Sequence, residues 1–313
     1  MWLRSREWAI LFLFAAAVLV QVLIPPVVGM ADNGDFPRIM GRFGITYTAE
    51  DHHDRYFRYF NRTWRFDPAT RWVSGHVSSE SALVAAALPL NRLFFSEDRF
   101  DIRSLGLLHA TLFLAGPWAL IVFSRRFGPA ARTLALALPL WMWTDAGYIA
   151  YFNSFYSESA SYVFLLALLA CLLLVMEEPR LGALAGFAAA ALLFVAAKPQ
   201  NALAGVCCGL FALRLSPLRE DRRWKVACSA LAPVLLAGAG MVYFTRDKGL
   251  DEATRYIAVI EELLGHSPNP RQDLRDLGLD PALARYAGVS PYAPDSPRYD
   301  PEFRLAFFDQ FRP

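Results

Sequence analysis

Cysteine is scarce: Cys171, Cys207, Cys208 and Cys228 are the only four in 313 residues. All lie inside apolar blocks, and the adjacent pair Cys207-Cys208 on a helix would point to different faces. They read as small packing residues, not as a metal or disulfide framework. Charge is also sparse. Charged residues make up 19% and the net charge is +2, which gives no basis for a nucleic-acid partner. There is no phosphate-cradling loop of the Walker A type, no glycine-rich dinucleotide fingerprint and no His-Glu-x-x-His. A cytosolic nucleotide-using mechanism therefore has no visible site.

Apolar residues are abundant, at 55%, against roughly 45–50% in a soluble domain. They come in blocks, which is the membrane pattern. The first block, 8–28, follows Arg4 and Arg6 and is too long for a signal-peptide core. No small-x-small cleavage site follows it, so it reads as an uncleaved first helix. Further spans are expected at 105–123, 133–143 (or to 148), 161–176, 181–197, 203–215 and 226–244. The short loops around Arg125-Arg126 and Arg219–Lys225 are basic, and both fall on the cytoplasmic side if seven helices cross. The expected fold is an all-α polytopic membrane protein of about seven transmembrane helices, with its N-terminus cytoplasmic. A long outer loop, about 30–103, carries a helix over 81–95 that lies in the interface rather than crossing. Residues 1–244 form the membrane region. Residues 245–313 read as a soluble-like segment with an amphipathic helix over 252–265 and many prolines. It stops without a closing element, as a fragment of a longer protein would.

Several groups of residues could carry chemistry. Asp32-Asn33-Gly34-Asp35-Phe36-Pro37-Arg38 directly follows the first helix. A carboxylate there, Asp35 or Asp32, is placed to act as a general base on an acceptor hydroxyl. The plainer reading is helix termination, since Asp and Asn are turn residues. Asp145 and Glu158 bracket Tyr148, Tyr151, Asn153 and Tyr156, a set suited to sugar hydroxyls or to an aromatic belt at the interface. Lys198, followed by Pro199-Gln200-Asn201, ends an almost uncharged run. It could hold a lipid phosphate, or simply snorkel to the boundary. Asp51-His52-His53-Asp54 offers a weak metal pattern. His109 is the one ionisable group well inside a predicted span.

Together these stretches resemble the GT-C superfamily of polytopic glycosyltransferases. Asn33-Gly34-Asp35 sits where those enzymes carry a catalytic aspartate, and Phe100-Asp101-Ile102-Arg103 resembles their boundary before the second span. Ala197-Lys198-Pro199 is similar to the Thr-Lys-Gly-Pro motif of one branch, without its glycine; His76 would stand in for that branch's His-Pro-Pro stretch. The Asn-Gly-Asp-Phe and Tyr-Phe-Asn-Ser-Phe-Tyr-x-Glu stretches further resemble WsfD-type hexose transferases. The resemblance implies an inverting glycosyltransferase of the inner membrane. It would take a polyprenyl-phosphate sugar as donor and a glycan, lipid or protein of the cell envelope as acceptor. Asp35 or Asp32 would be catalytic, with Arg38, Lys198, Gln200, Asp145, Tyr148, Asn153, Tyr156, Glu158 and His76 binding substrate. No cofactor is implied; a divalent metal is possible but not indicated. The competing expectations are a transporter or lipid-glycan flippase and a non-catalytic envelope assembly subunit.

Overall fold

The computed structural model describes residues 3–56, 59–72, 78–246, 248–293 and 296–310, without the side chains of His52, His53, Lys248 and Leu250. The chain divides into two compact units, Met1–Arg246 and Asp247–Pro313.

In the first unit, α1 covers Ser5–Leu23. It stops five residues short of the expected 28, because Pro25 and Pro26 cannot continue the helical hydrogen-bond ladder. α2, Ser79–Phe94, begins at Ser78, whose hydroxyl accepts from the Glu80 amide at 3.2 Å. α3 (Arg103–Phe113) and α4 (Ala115–Phe123) run on as one apolar stretch, Arg103–Arg126. Then follow α5 (Pro129–Trp143), α6 (Ser157–Glu177), α7 (Leu181–Val195), α8 (Ala202–Leu215) and α9 (Arg222–Phe244). Among the described residues, five helical stretches are long and apolar enough to cross a membrane: Ser5–Leu23, Arg103–Arg126, Ser157–Glu177, Pro199–Leu218 and Arg222–Phe244. Trp141, Leu203, Leu210 and Phe244 are turned outward, as suits contact with lipid.

α5 and α7 have 15 residues each, about 22 Å of helix, yet each joins the same two ends of the bundle as its longer neighbours. At one end Glu7 is bonded by Arg125 and Arg132, Arg126 pairs with Glu177, and the Arg219 guanidinium donates to Pro179 O at 3.0 Å. At the other end Gln21 donates to Thr144 O at 2.9 Å. There, too, Ser78 and Ser79 bond the Ala197 and Ala196 carbonyls. Among the described residues, seven helical passes therefore connect the two ends: α1, α3–α4 and α5 to α9.

The segment between α1 and α3 is not purely helical. It holds a small antiparallel sheet of β1 (Ile45–Thr46), β2 (Thr63–Phe66) and β3 (Arg99–Asp101), in that order. Ile45 faces Phe66 and Trp64 faces Phe100, and Ile45, Trp64 and Phe100 are buried in the core beside Phe14, Phe36, Phe113 and Phe155. β3 is stapled to α3 by Asp101. Its oxygens accept from Arg103 Nε at 2.9 Å and Nη2 at 2.7 Å, and its amide donates to Asn91 Oδ1 at 2.7 Å.

In the second unit, α10 (Lys248–Tyr256) passes into a π-helical turn over Ile257–Leu263. The wider turn puts Tyr256, Ile260 and Leu264 in the core at four-residue spacing and leaves Leu263 exposed, contrary to the 3.6-residue expectation. α11 (Pro270–Asp276) and α12 (Pro301–Phe307) complete this unit, with Phe303 and Phe307 in its core.

Candidate functional site

The stretch after α1 is a tight polar turn laid on an aromatic floor. Gly34 has φ +100°, a left-handed conformation that side-chain-bearing residues rarely adopt. The Asp32 Oδ1 accepts from the amides of Gly34 at 2.7 Å and Phe36 at 3.2 Å, and Oδ2 accepts from the Tyr47 hydroxyl. Asp32 is 1% exposed. Burial pushes its carboxyl above the ordinary value, against the opposing bonds from Tyr47, Phe36 and Gly34. Burial, and then the bond to Asp32, likewise raise the Tyr47 hydroxyl. Asp35 is different: its carboxylate is open to solvent and pairs with Arg38 at 2.9 Å. Phe36 beneath the turn meets the rings of Trp64, Phe155 and Tyr156.

Tyr156 links this turn to the start of α6. Its hydroxyl accepts from the Asn33 amide at 2.8 Å and donates to Ala31 O at 3.0 Å. Burial raises it first; the Asn33 bond opposes this, and the negative charges of Asp32, Asp35 and Glu158 add to the rise. Asp35 and Glu158 therefore bear on one phenol.

The Tyr156 ring meets that of Tyr151, and Tyr151 lines a cavity of about 490 Å³ among the ends of α6 and α7 and the turns beside them. Tyr148, Tyr151, Tyr162 and Phe194 give it aromatic walls, and Glu158, Lys198, Gln200 and Asn201 give it polar ones. Lys198 Nζ donates to Glu158 Oε1 at 2.5 Å across 40 residues of sequence. Asn201 is fixed by bonds to Ser161 Oγ at 3.0 Å and Phe194 O at 2.8 Å.

Of the residues singled out in the sequence, Lys198, Glu158, Gln200 and Tyr148 thus share one cavity. Asp35 and Arg38 share the turn nearby. Asp145 does not line the cavity; it caps the short helix Ala146–Ile149 by accepting from the Gly147 amide at 2.8 Å. Asn153 is buried, and its amide donates to Val22 O at 3.0 Å and Val28 O at 2.7 Å, holding the exit of α1. Tyr156 spends its hydroxyl on backbone. His76 lies outside the described residues, as do the side chains of His52 and His53. Among the described residues no three His, Cys, Asp or Glu side chains are grouped to hold a metal ion.

One buried pair joins residues that the sequence reading did not connect. Glu80, in the first turn of α2, and His109, in α3, are both fully buried. His109 Nε2 lies 3.2 and 3.3 Å from the Glu80 oxygens. Its Nδ1 donates to Phe152 O at 2.9 Å, and Glu80 Oε2 also accepts from the Ala160 amide at 3.1 Å. A lone histidine in an apolar run was the visible signal; its partner was hidden just ahead of the predicted helix start at 81.

The helices and their outward apolar faces define a multi-pass membrane protein in contact with a lipid bilayer. The chain belongs to the YfdI N-terminal transmembrane domain family, which it matches over residues 2–311. No curated protein and no solved structure matches it.

Proposed function

We propose that this protein is an inverting glycosyltransferase that takes a hexose from a polyprenyl-phosphate carrier and places it on a hydroxyl of an extracytoplasmic envelope acceptor. The observation that carries this reading is the Lys198–Glu158 pair in an aromatic-walled cavity, joined through Tyr156 to the turn bearing Asp35 and Arg38. An aromatic cavity at a helix end suits a sugar face, and an ammonium within it suits a lipid phosphate. The family match supports a membrane transferase of the GT-C kind. The hexose assignment rests on the WsfD-like stretches.

Asp35 takes the proton of the acceptor hydroxyl, and that oxygen attacks the anomeric carbon. The bond from that carbon to the phosphate oxygen breaks, and the phosphate leaves with the electron pair. Lys198 and Arg38 hold its charge, and configuration at the anomeric carbon inverts. Asp35 is preferred to Asp32 as base because its carboxylate is open, whereas Asp32 already accepts from two amides and a phenol.

Membranes containing the protein, supplied with labelled polyprenyl-phosphate hexose and host glycan, test this. Asp35→Asn should cut transfer by about 10²–10⁴-fold with expression unchanged. Full transfer by that variant would move the base elsewhere. A buried Glu80–His109 pair among the helices favours a transport reading as the alternative. Movement of lipid-linked glycan across liposomes, with no label transferred, would establish that alternative.

A further inference from the structure

A second cavity, of about 680 Å³, lies at the other end of α1 from the Asp35 turn. Arg4, Arg6 and Arg132 give it cationic walls, and Ile10, Phe127 and Leu136, with Ile10 and Leu136 one turn further along the helices that carry Arg6 and Arg132, give it apolar ones. At its base Glu7 is almost fully buried and its carboxylate is already saturated. Oε1 accepts from Arg125 Nε at 2.9 Å and Arg132 Nη2 at 2.7 Å, and Oε2 accepts from Arg125 Nη2 at 2.6 Å and the Arg4 amide at 2.7 Å. Two guanidinium groups thus oppose one carboxylate. Arg4 and Arg6, both exposed, add two more among its lining residues. Arg4, Arg6 and Arg132 thus line the cavity against the single carboxylate of Glu7.

We propose that this cavity binds the phosphate of an anionic glycerophospholipid, with Arg4 and Arg6 on the headgroup and an acyl chain against Ile10 and Leu136. The two walls need a ligand that is anionic at one end and apolar at the other. A free phosphate would leave the apolar wall unused, and a zwitterionic lipid would bring its own cation into the arginines. The site lies between the ends of α1 and α5 and the turn at Phe127, where a membrane-spanning bundle meets headgroups, and basic pockets between such helices are suited to anionic lipid. This inference does not depend on the transferase reading.

The test uses the full chain purified in detergent, with binding of fluorescent phosphatidylglycerol as the readout. Phosphatidylglycerol should displace the probe far better than phosphatidylcholine or inorganic phosphate. Arg4→Gln with Arg6→Gln, at two exposed positions, should weaken binding by about thirtyfold. The control pair Arg219→Gln with Arg223→Gln, on another basic loop, should leave binding unchanged. Equal displacement by phosphatidylcholine or by inorganic phosphate would overturn the lipid assignment. An unaffected Arg4/Arg6 variant, or an equal loss in the control, would overturn the site.

Discussion

At Asp32 both carboxylate oxygens are occupied inside the fold, while three residues on Asp35 stands open beside Arg38. The first arrangement has a pH signature. Burial holds the Asp32 carboxyl above its ordinary value, so the folded chain keeps that proton more firmly than the unfolded one. The stability this supplies is complete below the ordinary carboxylate range and is lost as pH rises through the raised value. Thermal unfolding of Asp32→Asn should lack that falling slope; a curve parallel to wild type would refute the assignment. Lys198 and Glu158 need a different test, because their ion pair would matter to a purely structural site as well. If Lys198 stabilises the leaving phosphate, Lys198→Gln should lower kcat by about 10²–10³-fold, and Glu158→Gln should act much less. Equal losses in both, accompanied by equal losses of stability, would reduce the pair to a strut. The sequence exposed the candidates at this scale, since Asp35, Lys198 and Glu158 stand out where apolar runs end. It could not rank them. Asp145, Asn153 and Tyr156 look as polar as Glu158 on paper, and only folding shows that their hydrogen bonds are used by the backbone.

Where α2, α3 and α6 meet, Glu80 and His109 form a bridge from which water is excluded. Nδ1 must donate to the Phe152 carbonyl, so Nε2 reaches Glu80 through a proton held between them. Removing His109 leaves the buried Glu80 carboxyl without its side-chain partner and with only the Ala160 amide bond, at a cost of about 3–5 kcal/mol. His109→Ala should therefore lower unfolding stability by that order, and adding Glu80→Leu should recover part of the loss. Strictly additive losses would show that the two groups are not coupled. The bridge also holds the turn at Phe152 and the first turn of α6, which lead into the cavity, so transfer should weaken with stability. At this scale the long helices were legible from their apolar runs. The sheet was not: strands of two to four residues show too little alternation, and their partners are separated by long stretches of chain. α2 began two residues earlier than expected because Ser78 supplies the cap, and that shift brought Glu80 inside the helix.

Across the whole first unit, the charge pattern and the side-chain contacts lead to one arrangement. The sequence placed the two short basic loops on a common face through the positive-inside rule. The structure gathers the same loops through Glu7 with Arg125 and Arg132, Arg126 with Glu177, and Arg219 with the Pro179 carbonyl. The short spans in the sequence were 133–143 and 203–215; in the structure the second becomes part of the 20-residue stretch Pro199–Leu218, whereas α5 and α7, at about 22 Å, fall short of a hydrocarbon core of about 30 Å. A protein of only five crossings would still keep the loops at Gly128 and Glu220 on one side. It would, however, move the turn before α7 to the other. Gly182 stands just after that turn, at the second position of α7, and neither it nor Gly128 has any atom near where a side chain would begin, so a cysteine fits at both. Gly128→Cys, Gly182→Cys and Glu97→Cys should therefore separate the two topologies under a membrane-impermeant thiol reagent. With seven crossings, Glu97→Cys reacts in intact cells, and the two glycine variants react only after the membrane is opened. Labelling of Gly182→Cys in intact cells, alongside Glu97→Cys, would reduce the crossings to five and leave α5 and α7 as re-entrant helices.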